Sequence, residues 1–411
     1  MSDIINLLAG LESESDTATG AAAAITTARA ARPDAVANAQ ASFEALLEPA
    51  EPGAFTYAER YAVAAFVAGL TQAGGSFYLD LLADESEELV APVEAAIAAG
   101  RTQGPYIAGP AAPAFALHNA AALGTRLTAA FDYAHLLTFH PKDASPAALG
   151  HLYAAGWDAD TVVSLSQLVA FEAFQLRVAH GAAVLAGLAP AAPAAPNPRP
   201  TSAPDWQPVA GINTAEDVVR PHSFVNHALG WVPWIAALDE DELTAEQRDA
   251  LIKPERAKSA YFRLLARDAA ALKARTLTDF DIFYNVEGGL PRAERELAAT
   301  VVSRFNGCEY CASVHQGRTV EEGGDRAAVD RLLFEGIEAD LGSELWDAIR
   351  RAALALTATP LAFGQSHVDA LRAAGLNDIA ILDVVNAASF FNWANRLMLT
   401  LGTAELPARF R

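Results

Sequence analysis

Apolar residues recur at spacings of three and four along most of the chain, the period of a helix face laid on a core. Two stretches of about 50 residues repeat one layout. An apolar helix stops at a proline, a second ends in Ala-Ala-Gly, and a third runs on with apolar spacing near 3.6. A shift of 219 aligns Thr138 with Thr357, Pro141 with Pro360, Gly156 with Gly375, Phe171 with Phe390 and Arg177 with Arg396. Further upstream, a shift of 235 lays AERYAVAAFVAGLTQAGGSFYLDLL, from Ala58, over AERELAATVVSRFNGCEYCASVHQG, from Ala293. Between the copies lies a proline- and alanine-rich stretch without helical periodicity, the composition of a semi-rigid linker. These patterns predict an all-α fold in two tandem helical domains, residues 1–190 and 206–411, joined by a linker over 191–205.

Ahead of the second unit, PHSFVNHALGWVPW carries His222, His227, Trp231 and Trp234. This arm is predicted to cover its own domain or to pack on the other domain or on a neighbouring subunit. Its histidines lack metal-site spacing.

The composition narrows the function classes. Of 411 residues, 52% are apolar and 19% charged, which suits closely packed helices. Fifty acidic against 29 basic residues give a formal charge of −21, a field that repels nucleic acid and anionic membrane surfaces. The N-terminal sequence lacks the basic and apolar regions of a secretory signal, and apolar runs such as 61–70 fall short of the ~20 residues that span a bilayer. Two cysteines in so long a chain are no disulfide framework, so a cytoplasmic setting is expected.

Those two cysteines lie in FNGCEYCASVHQG, with His315 four residues after Cys311. Asn306-Gly307 reads as a helix stop, and a new helix is predicted from Cys308. On that helix Cys308, Cys311 and His315 fall within an arc of about 60°, so the three share a face. The cysteine Cα atoms are then about 5 Å apart, inside disulfide range. A helix N-terminus favours a thiolate, which by position alone makes Cys308 the more acidic thiol. His315 is placed to exchange the proton of Cys311. A turn between helices would return Glu296 to orient the imidazole. Structural zinc and inert core cysteines compete with redox chemistry, although no second CxxC or HxxxH completes a zinc set. In the overlay the first copy puts Tyr61, Ala73, Ser76 and Asp80 where the second has Glu296, Cys308, Cys311 and His315.

A glutamate, eleven residues and then CxxCxxxH resembles the alkylhydroperoxidase D-like (AhpD-like) proteins of the carboxymuconolactone decarboxylase superfamily. The segments FYN (283–285) and GGLPRAERELA (288–298) are similar to its peroxidase-related branch. The resemblance implies a duplicated AhpD-like helical unit and a thiol-dependent hydroperoxide reductase without a cofactor or bound metal. It gives Glu296 and His315 as proton relay, Cys311 as the thiol that attacks peroxide and Cys308 as the resolving thiol. It further implies a thiol or dithiol reductant, protein or lipoyl-type, and a homo-oligomer, with a trimer favoured for a chain of two units. Tyr310 departs from the histidine that the best-known peroxidases of this type carry before the second cysteine. Two alternatives remain: a general disulfide oxidoreductase, and an oligomeric scaffold whose cysteines are relics or metal ligands.

Overall fold

The computed structural model describes residues 3–12, 19–102, 120–188, 193–197 and 210–411. Six helices of the first half have counterparts in the second. They are α1 (Pro33–Leu47), α2 (Tyr57–Thr71), α3 (Phe77–Gly100), α4 (Ala120–Phe139), α5 (Pro146–Ala154) and α6 (Ala159–Leu185). Their partners are α7 (Ala269–Tyr284), α8 (Arg292–Asn306), α9 (Glu309–Glu321), α10 (Glu344–Thr357), α11 (Gln365–Ala373) and α12 (Asp378–Thr400). Shorter helices fill the connections. The all-α prediction holds, with one two-stranded sheet among the described residues.

Local sequence explains the helix ends. Thr56 and Glu59 form a reciprocal cap at the start of α2, and Asp158 and Thr161 do so for α6. Helix α2 ends on Gln72 and α8 on Gly307, both in the left-handed conformation. A left-handed glycine also follows each Ala-Ala pair, Gly156 after α5 and Gly375 after α11.

The two units pack through like elements: α6 lies along α12, and α1 lies along α7. Reciprocal contacts mark an approximate two-fold. Arg177 of α6 donates to the Thr357 carbonyl at 3.2 Å, and Arg396 of α12 donates to the Thr138 carbonyl at 3.0 Å. Within each unit an equivalent arginine ties down the segment before its own helix. Arg60 donates from Nε to the Phe55 carbonyl, and Arg295 from Nε to the Leu290 carbonyl. The junction also holds a buried ion pair, Arg32 to Asp383 at 2.8 Å. Removing one partner of such a pair costs about 3–5 kcal/mol, because the other charge stays buried.

The arm before α7 covers its own domain. Gly230–Pro233 (β1) pairs antiparallel with Gly402–Glu405 (β2), and the Trp231 indole donates to the Met398 carbonyl at 2.9 Å. Most of the 191–205 linker lies outside the described residues. Within it, Asn197 donates to carbonyls at the end of α3.

One expectation needs correction. Helix α6 is long and apolar enough, by length and composition, to cross a membrane, and 89% of its most apolar window is buried within the fold. Shorter apolar runs in the sequence hid this because Glu172 and Arg177 interrupt them. The field of packed helices around α6 supplies the apolar surroundings a bilayer otherwise would.

Candidate active site

Helix α8 and helix α9 run against each other across a tight turn, and this return brings Glu296 to His315. The turn depends on Gly307, whose φ of +76° suits glycine, and a Cβ there would meet the Lys142 side chain at 3.0 Å. Glu296 Oε2 lies 2.5 Å from His315 Nδ1, and its Oε1 accepts from Arg292 Nε at 3.1 Å. Burial alone would raise the Glu296 pKa. The charge of His315 and its hydrogen bond, with Arg292, outweigh burial and hold the carboxyl below its usual range. Nδ1 being engaged, Nε2 is the imidazole nitrogen left to exchange a proton with the cleft. The ring stands edge-on to Phe391, with centroids 4.2 Å apart.

Cys311 lines the same cleft as His315 and Glu296, a space of about 310 Å³ walled by Phe283, Phe390 and Phe391. Cys308 does not. It is the N-cap of α9, with φ −86° and ψ 90°, and the first helical residue is Glu309. Cys308 lines a second cleft of about 190 Å³, together with Lys142, Arg220, Trp231 and Trp234. The predicted shared face of Cys308, Cys311 and His315 is therefore corrected: the helix begins one residue late, and Cys308 lines a different cleft from Cys311 and His315. Tyr310 and Met398 line both clefts and form the wall between them.

Both cysteines are free thiols and almost wholly buried, Cys308 at 1% and Cys311 at 5% exposure. Burial pushes the Cys308 thiol well above the usual thiol range, and a hydrogen bond with Cys311 adds to the shift. Burial thus works against the acidity that helix position alone would give Cys308. Desolvation outweighs the few partial charges of the helix end, and Glu309 beside it is itself negative. The hydrogen bond between the thiols leaves them close enough to couple.

Buried amides beneath this turn were not anticipated from the sequence. Asn306 donates to the side-chain oxygen of Asn395 at 3.1 Å, and Asn395 donates to Ser303 Oγ at 3.1 Å. Ser303 in turn accepts at its carbonyl from the Cys308 amide, 2.9 Å away. The signal lay in polar residues recurring among the buried positions of α8 and α12. Their counterparts at the 235 and 219 shifts, Ala68, Thr71 and Leu176, cannot form the same network. Arg275 and Asp279 of α7, which also line the Cys311 cleft, carry no motif spacing and were likewise missed.

The first unit keeps the frame and replaces the chemistry. After Gln72 its chain makes a Gly74-Gly75 turn, and α3 starts at Phe77, later than α9 does in the same register. Ser76 Oγ donates to Asp80 at 2.8 Å, where the second unit has Cys311 and His315. Among the described residues no group of three or more His, Cys, Asp or Glu side chains is disposed to hold a metal ion.

No curated protein matches the chain. The crystal structure of an uncharacterized peroxidase-related protein from Silicibacter sp. TM1040 is 27% identical, covering 43% of this chain and 93% of that one, at a TM-score of 0.35. Residues 269–358, from α7 through the paired cysteines to the end of α10, match the carboxymuconolactone decarboxylase family. The segment that holds Glu296, Cys308, Cys311 and His315 is thus similar to the carboxymuconolactone decarboxylase family, in line with the motif resemblance.

Proposed function

We propose that the chain is an AhpD-like, thiol-dependent hydroperoxide reductase with its active site in the second unit. The observation that carries this is the Glu296–His315 pair in one cleft with Cys311, while Cys308 stands behind it within hydrogen-bonding reach of Cys311.

In this mechanism His315 Nε2 takes the Cys311 proton, and Glu296 stabilises the imidazolium. The thiolate attacks the terminal oxygen of ROOH and the O–O bond breaks. The leaving alkoxide takes the proton from Nε2 as ROH, and Cys311 is left as a sulfenic acid. Cys308 then attacks that sulfur. Its proton and the hydroxide depart as water, and the Cys308–Cys311 disulfide forms. A dithiol reductant supplies two electrons and two protons to restore both thiols. Two separate clefts suit this order, because peroxide meets Cys311 from one side and the reductant reaches Cys308 from the other.

Mass spectrometry after stepwise addition of an organic hydroperoxide tests the proposal. One Cys308–Cys311 disulfide per chain, formed with one equivalent of peroxide and reversed by a dithiol, is expected. The separate Cys308 cleft also favours a second reading, a general disulfide oxidoreductase. Stopped-flow oxidation that is fast with disulfides and slow with hydroperoxides would select it.

A further inference from the structure

Arg275 is 5% exposed and lines the Cys311 cleft. Among the described residues it has no hydrogen-bond partner, and its Nε is buried without an acceptor. Every other buried arginine described has one. Arg32 meets Asp383, Arg29 meets Asp3, and Arg350 meets Asp347. Arg60, Arg177, Arg295 and Arg396 donate to backbone carbonyls. Arg275 instead lies over rings, 5.0 Å from the centroid of Phe390 and 5.8 Å from that of Trp393. Ring faces attract a cation, but they supply no in-plane acceptor for its N–H groups.

Nearby carboxylates are already committed. Glu296 is held by His315 and Arg292. Asp279, one turn along α7, has Arg256 at 3.8 Å, and although the charge of Arg275 also acts on its carboxyl the two form no ion pair. A guanidinium buried without acceptors is costly, and a planar carboxylate is the group its fork fits best. Aromatic walls on the same cleft suit a compact organic body, and its volume lies at the small end for ligand sites.

We infer that Arg275 anchors a carboxylate, so that the preferred substrates are compact, largely apolar hydroperoxides bearing an acid group. The inference rests on the peroxidase reading for the reacting group, while the anchor itself is read by binding alone. The charge of Asp279 acts on both Arg275 and Arg256, but it forms an ion pair only with Arg256, so the incoming acid finds in Arg275 a guanidinium whose N–H groups have no acceptor among the described residues.

Two measurements on the reduced, full-length protein test it. In calorimetry, 4-isopropylbenzoate should bind saturably, and Arg275→Gln should weaken it by about tenfold or more, the effect of removing a charged hydrogen-bond donor. Arg275→Lys should keep part of the affinity, and 4-isopropylbenzamide should bind without regard to residue 275. In turnover, the ratio of kcat/KM for para-carboxylated cumene hydroperoxide to that for cumene hydroperoxide should exceed one and collapse in Arg275→Gln, through KM. Failure of 4-isopropylbenzoate to bind the unaltered protein overturns the inference, as does a ratio of one; neither requires a folded variant. Equal loss of benzoate and benzamide binding in Arg275→Gln overturns it too. Benzoate binding that depends on Arg275, with no peroxide consumed, upholds the anchor and removes the peroxidase reading.

Discussion

Glu296 and His315, nineteen residues apart, meet at 2.5 Å because the chain reverses at Gly307. The carboxylate fixes which imidazole nitrogen faces the cleft. Glu296→Gln keeps the shape and removes the charge. It should slow sulfenic acid formation by about 10²-fold or more, the usual scale of positioned acid–base catalysis. His315→Gln should cost a similar factor, and the double variant little more, since the two act as one unit. Single-turnover stopped flow measures each. Glu296 itself titrates below the usual carboxylate range, so the pair contributes stability above that range and loses it as the pH falls through the lowered pKa.

The cysteines separate by role. Cys311→Ser should abolish peroxide consumption. Cys308→Ser should permit one turnover and leave a sulfenic acid that a 1,3-diketone probe traps at Cys311. Ser76→Ala, in the matching place of the first unit, should leave the rate unchanged. Because burial raises its pKa, Cys308 in the folded protein should alkylate slowly at neutral pH and rapidly in urea.

A buried carboxyl that lines neither cysteine cleft governs another pH response. Glu172 of α6 is fully buried, and burial raises its pKa from the usual 4.5 to about 8, with Tyr78 offsetting the rise only in part. The folded state therefore holds a proton that the unfolded chain releases. Between pH 4.5 and 8 stability should fall with rising pH, by at most about 1.4 kcal/mol per unit from this group. Glu172→Gln should flatten that slope, as read by thermal unfolding across the same window.

The resemblance favours three chains per particle. Multi-angle light scattering at micromolar concentration should give a trimer, and a stable monomer would overturn that expectation.

The sequence displayed the repeat and the motif because both are written in local spacing. Punctuation by Pro141, Pro360, Gly156 and Gly375 marks helix ends wherever the helices later pack, and the alignment at 219 matches Arg177 with Arg396, though their crossed contacts show only in the structure. The orientation of Cys308 was not legible. It turns on one residue's backbone angles at a helix cap, and helix periodicity assumes the residue is already inside. Nor was the role of Arg275, which is defined by what its neighbours do with their own charges. Trp231 and Trp234 were noticed as an arm, but only β-pairing with the C-terminal strand shows that they roof the Cys308 cleft.

Lys142, from the half without cysteines, forms an ion pair with Glu309 at the start of α9 and walls the Cys308 cleft. In a symmetric pair of identical chains, any change to that wall would appear twice, and each copy would have to serve as both catalyst and neighbour. Writing the two copies into one chain removes that constraint. Substitutions around Lys142 can reshape the Cys308 cleft while the residues that line the Cys311 cleft stay fixed, so the two halves are free to drift under separate demands.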